Sequence, residues 1–80
     1  MNDNEHILMK IGILLREIRI ASGYTQSDLK EKGINRTLLS RVESGNYNIT
    51  IKTLGCILNC YGISLSQFFD NQSGYFDDPE

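Results

Sequence analysis

The 80-residue chain has no tryptophan, one proline, one histidine and two cysteines. No apolar run approaches the roughly 20 residues that a membrane span needs. The opening MNDNEHILMK is acidic and polar, where a secretory signal is basic and then apolar. These absences lead to the expectation of a cytoplasmic protein without membrane contact. Cys56 and Cys60 stand four apart, on one helix face but without the close Cβ approach of a disulfide, and they read as small packing residues. A structural metal takes about four ligands, and His6 is remote from both thiols, so neither metal nor cofactor is expected. No nucleophile–base pair and no glycine-rich phosphate loop after a strand is present, which argues against an enzyme.

What is there is a single small domain. A chain of this length closes one modest core and gains from association with a second copy. The net charge of −2 conceals an uneven distribution. Residues 1–6 are an acidic end, and residues 70–80, with Asp70, Asp77, Asp78 and Glu80, form an acidic tail without periodicity. Between them, residues 7–69 carry eight Lys or Arg against four Asp or Glu, a charge of +4. A basic domain flanked by acidic ends remains compatible with a nucleic-acid partner.

Helical spacing runs through the basic part, and nothing alternates with the period of a strand. Ile7, Ile11, Leu14, Leu15, Ile18 and Ala21 predict a first helix from Glu5 to Ser22, stopped by Gly23. Thr25-Gln-Ser-Asp28 has the spacing of a capping box, so a short second helix follows, to about Lys32, broken by Gly33. Asn35 is a good N-cap for a third helix that Gly45 ends. Thr50 caps a fourth with Ile51, Leu54, Ile57, Leu58 and Tyr61 at helical spacing, stopped by Gly62, and Ser64 caps a fifth that ends in Phe68 and Phe69. The expected fold class is all-α with five short helices.

The third helix, NRTLLSRVESG at 35–45, separates two faces. At about 100° per residue, Arg36, Thr37, Ser40, Arg41 and Ser44 share one arc, and Leu38, Leu39 and Val42 lie opposite. Two short helices joined by a glycine-containing turn form a helix-turn-helix, whose second helix enters the major groove of DNA. With LREIR at 15–19, GYTQSDL at 23–29, TIKTL at 50–54 and YGISLSQFF at 61–69, this order of segments resembles the lambda-repressor-like family of helix-turn-helix regulators. That group includes phage Cro and CI repressors, SinR-like regulators and restriction-modification controller proteins.

The resemblance implies a role for individual residues. Arg36, Thr37, Ser40 and Arg41 correspond to base-reading positions, and Gln26 to a phosphate contact at the head of the second helix. Ser44, Asn46 and Lys52 are candidates for phosphate contact as well; the alternative for each is an ordinary loop or surface residue. Arg19 and Glu43 correspond to a structural ion pair. The chain departs from the family pattern in having Leu29 and Ile34 five apart where six is usual, and Lys30 where a small residue lets the helices approach. A shorter turn and a shifted second helix are two ways to absorb this.

The resemblance further implies a transcriptional regulator that binds double-stranded DNA as a homodimer, most simply a repressor or autoregulatory controller reading a palindromic operator. Leu65, Phe68, Phe69 and Phe76 are the expected dimer surface, with closure of the core as the alternative for Leu65 and one Phe. A different class of function on the same scaffold is an antitoxin or other protein-binding module.

Overall fold

The computed structural model describes residues 3–71. Over that range the chain is a succession of helices: α1 (Asp3–Ala21), a 3-10 helix (Ser27–Lys32), α2 (Arg36–Glu43), α3 (Ile51–Cys60) and α4 (Leu65–Asn71). No strand occurs among the described residues. α1 begins at Asp3, inside the segment read as an acidic end, and α4 runs two residues past Phe69. Phe76, Tyr75 and the acidic residues Asp77, Asp78 and Glu80 lie outside the described residues.

The starts of α2, α3 and α4 use the hydroxyl or amide that the sequence places there. The Leu38 amide donates to Asn35 Oδ1 at 3.0 Å, the Thr53 amide to Thr50 Oγ1 at 3.1 Å, and the Gln67 amide to Ser64 Oγ at 3.0 Å. The Ser64 amide donates in return to Gln67 Oε1 at 2.9 Å, closing a second capping box. The first box is equally complete: the Asp28 amide donates to Thr25 Oγ1 at 3.1 Å and the Thr25 amide to Asp28 Oδ2 at 2.8 Å.

The core is made by Ile11, Leu14 and Leu15 of α1, Leu29 and Ile34 around the turn, Leu39 and Val42 of α2, Leu54, Ile57 and Leu58 of α3, and Phe68 of α4. Phe68 is 2% exposed, which corrects its assignment to a dimer surface. The two rings are adjacent in sequence, so α4 turns one inward and the other, Phe69, outward; Leu65 packs partly against the core. Ile7, Ala21 and Ile51, which share the helical spacing of the buried residues, are exposed; Ile7 and Ala21 lie beyond the core at the two ends of α1. Cys56 is exposed too, and of the two free thiols it is Cys60 that packs, donating to the Cys56 carbonyl at 3.5 Å.

The short spacing between Leu29 and Ile34 is absorbed by the winding of the second helix. A 3-10 helix rises about 2.0 Å per residue against about 1.5 Å for an α-helix. Over the three steps from Leu29 to Lys32 this adds about 1.5 Å, and Leu29 and Ile34, although only five apart, are both delivered to the core. Gly33 closes the unit at φ 91°, in the left-handed region, with the Ile34 amide donating to the Leu29 carbonyl at 3.0 Å.

α1 packs most extensively on α2, and one residue sets how closely. A Cβ on Gly12 would stand 2.5 Å from the Val42 carbonyl oxygen and 2.7 Å from that of Glu43. The α1 backbone thus lies directly on the last turn of α2.

Candidate nucleic-acid interface

α2 presents its polar side outward because its apolar side is consumed by the core. Leu39 is fully buried and Val42 3% exposed, whereas Arg36, Thr37, Ser40 and Arg41 are exposed. These four line one shallow depression together with Gln26 from the residue before the 3-10 helix. All four base-reading candidates and the principal phosphate candidate therefore share one continuous surface.

Two basic residues that the sequence reading passed over border it. Arg16 of α1 lines an adjoining depression with Gln26, Ser40, Glu43 and Ser44, and Lys30 lines another with Ser27, Asn35, Arg36 and Thr37. Arg16 had a signal in the sequence: it stands one helical turn before Arg19, on the side of α1 that faces α2. Lys30 stands on the 3-10 helix, toward the head of α2. Asn46 and Lys52 are not among the residues lining these depressions; Lys52 is an exposed residue in the first turn of α3.

Beneath the surface lies the ion pair. Arg19 Nε donates to Glu43 Oε2 at 2.8 Å and Arg19 Nη2 to Glu43 Oε1 at 3.0 Å, a bidentate arrangement whose side chains are 10% and 3% exposed. Arg19 Nη1 donates to the Tyr24 carbonyl at 2.9 Å. The hydrogen bonds it donates to Glu43 raise the Arg19 pKa above its ordinary value, against the opposing effect of burial. Glu43 Oε1 also accepts from Gln26 Nε2 at 3.1 Å, so the pair ties α1 and α2 together and aims Gln26 as well. Tyr24 and Tyr61 stand 6.1 Å apart, with Lys32 Nζ 5.4 Å from the Tyr24 ring centre. Burial pushes the Tyr61 hydroxyl well above its ordinary pKa.

The end of α2 uses two of the phosphate candidates locally. Ser44 Oγ donates to the Arg41 carbonyl at 3.1 Å and accepts from Asn46 Nδ2 at 3.2 Å. The Asn46 amide donates to the Arg41 carbonyl at 2.9 Å, and Gly45, at φ 79°, makes that reversal without strain. Two of these bonds supply partners to the Arg41 carbonyl, in the last turn of α2.

A 3-10 helix, a left-handed glycine turn and an amphipathic helix with a donor-rich outer face constitute a DNA-binding helix-turn-helix. The helix-turn-helix family model matches residues 15–68, and the chain belongs to that family, in its lambda-repressor-like, XRE-type group. It is a DNA-binding regulator of this type. No curated protein and no solved structure matches the chain significantly. Among the described residues no helix is long and apolar enough to cross a membrane, and no group of His, Cys, Asp and Glu is placed to hold a metal ion.

Proposed function

We propose that the protein is a dimeric transcriptional repressor or autoregulatory controller that reads a two-fold-symmetric operator through the major groove. The observation that carries this is the shared outer surface of Gln26, Arg36, Thr37, Ser40 and Arg41. Arg36 and Arg41 reach guanine O6 and N7, each good bidentate pair contributing about 1 to 3 kcal/mol of discrimination. Thr37 and Ser40 supply hydroxyls to neighbouring base edges. Gln26 holds the flanking phosphate: an amide nitrogen carries two hydrogens, one engaged by Glu43 and the other directed to DNA. Arg16, Asn46 and Lys52 add phosphate contacts, and Ser44 joins them by turning its hydroxyl away from the Arg41 carbonyl.

So small a set of contacts binds weakly at physiological salt, and two copies on half-sites about 34 Å apart supply the missing affinity. Leu65, at its exposed edge, and Phe69 form the surface on which the second copy seats.

The test is selection from a randomised duplex pool followed by sequencing, with wild type and Arg41→Ala side by side, and sedimentation of the protein–operator complex. The expected result is a two-fold-symmetric motif bound by two chains, with sequence preference relaxed at one symmetric position in the Arg41 variant. An asymmetric motif bound by one chain, or a motif unchanged in that variant, defeats the proposal.

A further inference from the structure

Where α1, the loop before α3 and the end of α4 meet, a groove opens that is lined by Ile7, Leu8, Ile11, Ile49, Ile51 and Phe69 among others. Three of these are large apolar side chains left open to solvent: Ile51 at 65%, Ile7 at 46% and Phe69 at 38% exposure. Single exposed apolar residues are ordinary, but a concavity lined by several marks an interaction site.

We propose that this groove is the docking site for the chain's own segment Tyr75-Phe76, held there by Asp77 and Asp78 against the first turn of α3. Three observations select this occupant. α4 ends at Asn71, two residues after Phe69, which is itself a wall of the groove. The four residues from Asn71 to Tyr75 span up to about 14 Å when extended, and Gly74 permits a reversal.

The second observation is composition. Residues 72–80 contain two aromatic side chains, Tyr75 and Phe76, and they are adjacent. Docking of this segment by burial of aromatic surface therefore uses those two rings, against a groove walled mainly by isoleucines, leucines and one phenylalanine.

The third is charge. Thr50 and Ile51 at the head of α3 line the groove, Lys52 follows them, and the first turn of α3 holds no acidic residue. A helix N-terminus of this kind favours carboxylates. Asp77 and Asp78 come directly after the aromatic pair, and docking sets them beside that helix end and Lys52. The carboxylates then compete with DNA phosphate for Lys52. Docking assigns Phe76 to the chain's own groove and leaves Leu65 and Phe69 to the second copy; because it concerns a single chain, it is tested separately from the reading of the operator.

The experiment compares the full chain with its Tyr75→Ala/Phe76→Ala variant, each carrying carbon-13-labelled isoleucine methyls, by NMR at high and low protein concentration. The expected result is ring-current shifts of the Ile7 and Ile51 methyls in wild type that vanish in the variant and do not change on dilution. Identical methyl positions in the two proteins overturn the docking. Shifts that fade on dilution, with contacts between differently labelled chains, mean that a second copy fills the groove, and they overturn it equally. For the carboxylates, Asp77→Asn/Asp78→Asn is expected to tighten binding to non-specific duplex at low salt several-fold, and by less in a Lys52→Gln background. An equal gain in both backgrounds overturns the pairing with Lys52.

Discussion

Gln26 Nε2 donates to Glu43 Oε1 at 3.1 Å across the turn of the motif, and the same carboxylate receives two hydrogen bonds from Arg19. A residue of the proposed DNA surface is thus oriented by the pair that joins α1 to α2. If Gln26 holds DNA as proposed, binding and folding share one carboxylate, and substitutions there are expected to disturb both.

Removing one partner of this pair strands the other charge. Arg19→Ala is expected to destabilise the domain by about 3 to 5 kcal/mol, whereas an apolar replacement of both, Arg19→Met with Glu43→Leu, costs far less than the two single changes added together. Urea unfolding of the four proteins in a double-mutant cycle checks this. Additive costs would mean that the pair contributes nothing as a pair.

The helix approach at Gly12 gives a sharp contrast between two glycines. Gly12→Ala gains about 1 kcal/mol of helix propensity, but its Cβ would meet the Val42 carbonyl oxygen at 2.5 Å, and backbone cannot step aside cheaply. A net loss of about 1 to 3 kcal/mol is expected. At Gly55 the nearest atom to an added Cβ is Leu65 Cδ1 at 3.7 Å, an ordinary contact. Gly55→Ala is therefore expected to raise the melting temperature while Gly12→Ala lowers it, as thermal unfolding by circular dichroism will show.

The capping box at Thr25 makes stability depend on acid. The Asp28 carboxyl is held below its ordinary pKa, first by the Thr25 backbone amide and then by the Thr25 side chain. A group with a depressed folded pKa stabilises the fold above its unfolded pKa of about 3.9 and loses that contribution as pH falls through the lower folded value. Asp28→Asn is expected to flatten this acid limb while leaving the pH dependence near neutrality unchanged. Denaturant midpoints measured from pH 7 down to pH 2 decide the matter; an acid limb of wild-type shape in the variant would remove Asp28 as its source.

Arg16 and Arg41 should fail in different ways. Arg16→Ala is expected to weaken specific and non-specific duplexes alike and to lower the salt slope by about one ion, because a phosphate contact carries no sequence information. Arg41→Ala is expected to cost about 1 to 3 kcal/mol on the preferred site and little on a random one. Anisotropy titrations at two salt concentrations separate the two patterns.

Much of this architecture was legible in the residues. Asn35, Thr50 and Ser64 cap where their positions before apolar-periodic runs suggest, since a cap is a bond over three residues and needs no distant partner. The outer face of α2 was legible for the same reason: rotation per residue places Arg36, Thr37, Ser40 and Arg41 together once Leu39 and Val42 are buried. The 3-10 winding was not, because it answers a requirement imposed from outside the segment, that both Leu29 and Ile34 reach a core built largely by other helices.

By itself, then, the sequence determined the number of helices, their caps and the polar face of α2, all products of interactions within a few residues. Tertiary structure alone decided that Phe68 goes inward and Phe69 outward, that Gly12 lies on the α2 backbone, and that Glu43 reaches Gln26 as well as Arg19. Each of these depends on how far one helix is turned and how closely it approaches another. Those quantities are set by the simultaneous packing of residues distant along the chain, and no local spacing encodes them.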